Sequence, residues 1–236
     1  MVFDIDFAIK SLPKIISGIP MTLLISVFAI MFGLMIGFLV TLCQMYKVPV
    51  LNRISMIYVS FIRGTPLLVQ IYVTYYSLPM VIDWAGMKLG LNISSADLPP
   101  LAFALTAFTF YSGAYLSETI RSSLGSVDNG QMEAAYSVGL TTGQAFRRII
   151  IPQAFVVAIP NIGNIFLGLI KGTSLAFTVM IIEVLSNAKI VAADGYRYME
   201  AYVDAAIVYW VLCIFFERLF VWLEKRSGRF KARAAS

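Results

Sequence analysis

The chain has no histidine, only two cysteines and few charges, with Asp, Glu, Lys and Arg together making up 13% of its 236 residues. Each shortage excludes something. Cys43 and Cys213 both sit in apolar stretches, so they read as small packing residues. Two cysteines without histidine can build neither a metal cluster nor a disulfide framework. The lack of a histidine base, together with dispersed acids, argues against a membrane enzyme. A soluble domain is roughly one quarter charged, because its surface has to face water. Here the charges are too few to cover such a surface, so lipid is the solvent for most of the chain.

What fills the chain is apolar: 59% of it is hydrophobic, in long continuous runs. A bilayer protein satisfies its backbone internally, as helices or as a closed barrel. These runs lack the alternation of barrel strands. The expected fold class is all-α, a polytopic membrane helical bundle. At about 20 residues per crossing, the length allows roughly five or six spans and no separate catalytic domain.

Gaps between charges mark the spans. The first lies within residues 14–47 and is read as a retained span, since it is far longer than a signal-peptide core. It carries Gly33 and Gly37, a small-xxx-small pair suited to close helix approach. The second, residues 54–82, is broken by Arg63-Gly64-Thr65-Pro66. The third opens at Pro99-Pro100 and reaches Ser117; the fourth and fifth cover about residues 149–170 and 205–223. Residues 172–182 are apolar but too short to cross, and suit a re-entrant or interfacial piece packed inside the bundle. With the N-terminus outside, eleven Lys and Arg fall on the cytoplasmic side and six outside, Arg63 being counted with neither. That favours N-out, C-in, with an odd number of spans. The net charge of +5 is thus a topology signal, and nucleic acid is not an expected partner.

Residues 127–152 form the one long polar connection on the cytoplasmic side. Asp128-Asn129-Gly130 is turn chemistry, with Asp128 able to cap a helix from Gln131. Gly139 fits a left-handed stop. Thr141 with Gln144 matches a capping box for a second helix running through Phe146, Arg147 and Arg148 to Pro152. A short helix held by a defined bend is either a rigid knob that transmits force from a soluble partner or an interfacial helix with no partner.

Glu133-Ala134-Ala135, Gly139 and Ile151-Pro152 resemble the EAA loop of the permease subunits of bacterial ABC importers. The likeness extends over nearly the whole chain. Arg63-Gly64-Thr65-Pro66-Leu67-Leu68, Gly113-Ala114-Tyr115, Glu118, Arg121, Gly130-Gln131 and Lys171 with Thr173-Ser174-Leu175 are similar to the polar amino acid branch, which includes histidine, glutamine, arginine and cystine permeases. The resemblance implies one transmembrane domain over residues 1–236, with five core spans of the type I importer kind and a coupling loop at 127–152. It implies that Glu133, Ala134, Ala135 and Gly139 seat in a groove of a separate ATPase. It also implies a pair of ATPases, a second permease (identical or paralogous), an extracytoplasmic binding protein and a bacterial cytoplasmic membrane. This chain would then be non-catalytic and hold no cofactor, with ATP and Mg on the partner. Consistent with this, its one Lys-Ser step, Lys10-Ser11, lacks the glycines of a phosphate loop. Gly172 departs from the aspartate many relatives carry there. Residues 171–175, with Gly195-Tyr196-Arg197-Tyr198, look most like the cystine-type branch. The rival reading is a stand-alone ion-coupled secondary transporter or channel; it fits the break at Arg63–Pro66, but no second half repeats that break.

Ionisable groups at depth are functional candidates. Arg63 lies about nine residues into the second span, roughly 13 Å at helical rise. Pro66 leaves the carbonyl of Ile62 without its usual donor. Arg63 either faces a cavity and meets a substrate carboxylate, or is structural and pairs with Glu118 or the backbone. Glu118 shares a helix face with Tyr111 and Tyr115, and Arg121 follows three residues on. A zwitterionic amino acid needs an acid and a base, which Glu118 with Arg63 or Lys171 would supply; alternatively, Glu118 and Arg121 close a cytoplasmic gate. The expected pathway residues are Arg63, Tyr115, Glu118, Asn164, Lys171 and Ser174, with no metal. Asn161 and Asn164 also suit buried interhelical hydrogen bonds. Glu183, Asp194, Arg197, Glu200 and Asp204 are expected near the outer face, as a docking patch or a solvated loop.

Overall fold

The computed structural model describes residues 3–90 and 94–234, with side chains described to residue 227. Among the described residues there is no strand. A short helix α1 (Ile5–Ile16) leads into α2 (Ile19–Met45), α3 (Leu51–Gly64) and α4 (Leu67–Leu89). Then come α5 (Pro100–Gly125), α6 (Gly130–Ser137) and α7 (Thr142–Ala145). The chain ends with α8 (Ile151–Gly172), α9 (Val184–Gly195) and α10 (Tyr198–Ala234).

The bundle is built around α5. Its buried positions are mostly small or hydroxylic, among them Ala104, Ala107, Ser112, Gly113, Ala114, Ser117 and Ser123. Small residues let a neighbouring backbone approach, and lipid gives apolar helices no reason to associate otherwise. The neighbour is α2, whose seam of Ser26, Ala29, Gly33, Gly37 and Thr41 repeats at helical spacing. A Cβ at Gly33 would stand 2.1 Å from Ser112 Oγ, and one at Gly37 2.9 Å from the Ser117 nitrogen. Ser112 Oγ donates to the Ala29 carbonyl at 2.6 Å, and Thr41 Oγ1 to the Ser117 carbonyl at 2.9 Å. Since both residue numbers rise together along this seam, α2 and α5 run parallel.

The other long helices alternate in direction. Tyr75 of α4 lies edge-on to Phe103, while Leu67 lies by Gly172, next to Phe108, so α4 opposes α5. Phe166 meets Phe216 and Gly163 meets Phe220, so α8 and α10 are antiparallel. This packing places Ile16, Pro100 and Tyr198 at one end of the bundle. Met45, Gly125 and the α6–α7 segment lie at the other.

Three helical stretches are long and apolar enough to cross a membrane: Ile19–Met45, Thr142–Val179 and Tyr198–Ser227. The bent pair Leu51–Gly64 with Leu67–Leu89 is a fourth. The 26-residue α5 is not among them, because the same small polar residues that pack it centrally dilute its hydropathy. The second expected span is more than a kinked helix: the chain turns by 117° between α3 and α4. Depth counted along a straight helix therefore does not apply to Arg63. Residues 173–179 form a tight 3-10 stretch packed inside the bundle, with Thr173 and Ala176 fully buried.

If the α2–α5 seam organises the bundle, Gly33→Leu should destabilise it. Overpacking costs about 1–3 kcal/mol, read as a lower thermal midpoint in detergent; an unchanged midpoint would show that the seam yields.

Candidate functional site

The turn between α3 and α4 brings Arg63 to α5. Pro66 cannot donate a backbone hydrogen bond, so α3 ends with acceptors exposed in a poorly hydrated place. Gln70, one turn into α4 and buried, supplies the donor. Its Nε2 reaches the Ile62 carbonyl at 2.7 Å, the Thr65 carbonyl at 3.0 Å and Thr65 Oγ1 at 2.9 Å. The freed Ile62 carbonyl was legible from Pro66; the residue that answers it was not.

With the turn locked, Arg63 stands 3.4 Å from Glu118, and Arg121 stands 2.6 Å from the same carboxylate. The Arg63 guanidinium also lies 5.7 Å from the Tyr115 ring, which packs on Tyr111 at 4.8 Å. Two guanidiniums share one carboxylate, so the group keeps one uncompensated positive charge. All three side chains are part exposed, at 46% for Arg63, 26% for Glu118 and 52% for Arg121. They line a groove of about 520 Å³ with Gln44, Lys47, Asn52, Met56, Val59 and Ser60. Lys47 adds a second positive charge. The arrangement suits an anionic group, with the tyrosines as an apolar wall beside it.

Lys171, Asn164 and Ser174 do not join this cluster. On α8 the exposed positions Val157, Asn161, Asn164, Gly168 and Lys171 recur every three or four residues, forming one polar stripe. Asn161 and Asn164 are thus exposed in the single chain rather than buried between its helices; the described contact of the Asn161 amide is its own helix, at the Val157 carbonyl. Ser174 Oγ turns back to the Lys171 carbonyl at 2.7 Å. No ion pair links Lys171 to Glu118 among the described residues. Gly172 is closely packed: a Cβ there would sit 3.2 Å from the Leu67 side chain, which would have to give slightly, and in ordinary contact with Phe108 at 3.7 Å.

Of the acids expected near the outer face, Asp194 is exposed at the end of α9, whereas Glu183, Glu200 and Asp204 are buried. Glu183 is fully buried. It accepts from the Ser186 backbone at 2.8 Å and Ser186 Oγ at 3.0 Å, and from Tyr209 and Thr22. It caps α9 and ties it to α2 and α10, just beyond the 3-10 stretch. Glu200 and Asp204 are also buried, against Asp4 and Ser11 of the N-terminal helix. A solvated loop does not describe them.

At the other end, the connection is built nearly as its residues dictate. Asp128 is not the cap itself: its Oδ1 accepts from the Gly130 nitrogen at 2.6 Å in an Asx turn, one residue earlier than expected, and α6 begins at Gly130. Gly139 has φ +80 and ends α6 in a Schellman pair, with Gly139 N–H to the Tyr136 carbonyl and Leu140 N–H to the Ala135 carbonyl, both 3.0 Å. Thr141 and Gln144 complete the capping box. Before Pro152 the helix widens into a π turn at Phe146–Ile150, because proline offers no N–H and crowds the carbonyl four residues back. Ala135 is buried under α6, while Glu133, Ala134 and Gly139 face outward. The result is a small, braced, solvent-facing helix.

Comparison with known proteins decides the affiliation. The family model described as "Binding-protein-dependent transport system inner membrane component" matches residues 29–229. The chain belongs to this family. Among its relatives is the "Probable amino-acid permease protein YxeN" of Bacillus subtilis (strain 168), 41% identical over 92% of each chain. The "L-cystine transport system permease protein TcyL" of the same organism is 34% identical, over 98% of this chain and 94% of that one. Among solved structures, one described as an amino acid ABC transporter with histidines superposes with a TM-score of 0.81 at 33% identity, covering 96% of this chain and all of that one. The MetNI methionine ABC transporter in an inward-facing form shares the fold, with a TM-score of 0.69 at 16% identity. The chain is thus a membrane-embedded permease of the binding-protein-dependent kind.

Gln70 braces the α3–α4 turn that carries Arg63. Gln70→Leu should leave the Ile62 and Thr65 carbonyls without their donor, costing roughly 1–3 kcal/mol. A thermal midpoint unchanged from the parent protein would show that another group takes over.

Proposed function

We propose that the chain is the transmembrane subunit of an ATP-driven importer for polar amino acids. The observation that carries this reading is the braced helix α6 with its outward-facing Glu133, Ala134 and Gly139, in a chain of this family. A helix this short has little stability of its own. Caps at both ends make it rigid enough to pass on a push. Glu133, Ala134 and Gly139 are assigned to a groove of a separate ATPase, which holds ATP and Mg; Ala135, expected there too, is buried and instead seats α6 on its own chain. Two ATPases and two permeases then enclose one path, and an extracytoplasmic binding protein delivers the cargo. The second permease is a copy or a paralogue of this one.

ATP binding closes the ATPase pair, and α6 moves with it. The spans rock between inward-facing and outward-facing states. The Lys and Arg asymmetry supports the α6 end as cytoplasmic, with the N-terminus outside and five crossings of a bacterial cell membrane. The polar stripe Asn161, Asn164, Gly168 and Lys171 is costly against lipid and suits the shared path. In that path the surplus charge of Arg63, Glu118 and Arg121, beside Tyr115, favours the carboxylate of an amino acid. The likeness to an L-cystine permease, and the neutral Gly172, favour cystine-type cargo.

Two measurements test this. Glu133→Arg and Gly139→Val should each reduce ATP-driven uptake in vesicles at least tenfold while the protein stays inserted. Normal uptake, or uptake driven by an ion gradient with no ATPase present, would sink the coupling role. Glu118→Gln should shift the apparent affinity or the selectivity across a panel of amino acids, cystine included. A panel unchanged from the parent would confine Glu118 to structure.

A further inference from the structure

The helix α1 has three distinct sides. Ala8, Ser11 and Ile15 are buried against α9 and α10. The next sector carries Ile5, Ile9 and Ile16, exposed by 64%, 65% and 43%, which fall within about 40° of one another at 3.6 residues per turn. The sector after that carries Asp6, Lys10, Lys14 and Ser17, all exposed. An amphipathic helix in water needs two sides, one packed and one polar. Here a third, apolar side is left between them.

Its direction is set by the protein. Asp4 caps α1 through the Phe7 nitrogen at 3.0 Å and lies 3.4 Å from Arg197. The Asp4 nitrogen donates to Glu200 at 3.0 Å, and Ser11 Oγ donates to Asp204 at 2.9 Å. These ties bind α1 along the first turns of α10, beside the end of the bundle where α2 begins. At 12 residues, roughly 18 Å, α1 is too short to cross a bilayer. Its apolar strip leads, three residues after Ile16, into α2, whose outer face exposes Leu24, Val27, Met31 and Met35.

We propose that α1 is an interfacial helix, bedded by Ile5, Ile9 and Ile16 in the boundary of the outer leaflet. Lys10 and Lys14 lie on its water side, among the phospholipid headgroups. Lipid is the occupant because the strip leads directly along the chain into α2, a membrane-length helix with an exposed apolar face, and because the flank on its water side carries the two lysines that a phosphate layer attracts. A protein partner would have to sit across that face. The inference rests on membrane embedding alone and is independent of ATPase coupling or cargo.

The test uses the full chain in its native assembly, with Cys43→Ser and Cys213→Ser, in vesicles of three parts phosphatidylcholine to one part phosphatidylglycerol. A fluorophore is attached through Ile9→Cys, Ile5→Cys or Lys10→Cys, one per sample. The isoleucine sites should be quenched several-fold more by acyl-brominated lipid than by aqueous iodide, and the Lys10 site the reverse. Equal iodide access at Ile9 and Lys10 would overturn the proposal. So would isoleucine sites shielded from both quenchers, which would point to a covering protein. Ile5→Cys keeps the question answerable if Ile9→Cys fails to assemble.

Discussion

The close approach of α2 to α5 is the constraint on which the other positions depend. In lipid there is little hydrophobic gain in bringing two apolar helices together, so backbone proximity and hydrogen bonds across the seam have to do it. Gly33 and Gly37 leave room for Ser112, Gly113 and Ser117, and the hydroxyls of Ser112 and Thr41 bond to the opposite backbone. Once α5 is central and filled with small groups, its other faces receive α4 and α8. Its lower end then presents Glu118 to the turn after α3. The seam thus sets both the stability of the bundle and the location of its charge.

Charge inside a membrane protein has to be shared or wetted. The molecule does both. Glu183 is fully buried and met by neutral donors, so it serves as a structural tie between three helices. Glu118 is part exposed and met by two arginines, so it leaves a residual positive field in an open groove. The first arrangement consumes its hydrogen-bonding capacity internally, while the second keeps some available to a ligand. That difference separates Glu183, an acid of the scaffold, from Glu118, an acid open to a groove, better than sequence position does.

Much of this was legible beforehand. The helical class, the Gly33–Gly37 seam, the Gly139 stop and the Thr141–Gln144 box follow from local rules, and the structure carries each of them. What local rules miss depends on partners far along the chain. Gln70 is an ordinary polar residue until α4 folds back on the end of α3. Asp4 and Ser11 bond to Glu200 and Asp204, nearly two hundred positions away, which made those two look like surface acids. The exposure of Asn161 and Asn164 depends on which face of α8 meets α10, a phase that periodicity in an apolar run does not mark. The coupling residues were named from a family likeness and Arg63 and Glu118 from the cost of charge at depth; the geometry adds an outward face on α6 and an open groove beside the two charges.

The π turn at Phe146–Ile150 controls that phase. It holds one residue more than an α turn, and one residue rotates everything after it by about 100°. Pro152 forces this offset at the foot of α8, and the helix carries it upward to Asn161, Asn164 and Lys171. The orientation of the polar stripe is thus decided some fifteen Å or more away, by a proline next to the braced helix rather than by the stripe's own residues. The α6–α7 segment and α8 share one register, so any twist taken up at the π turn would appear as rotation of the stripe.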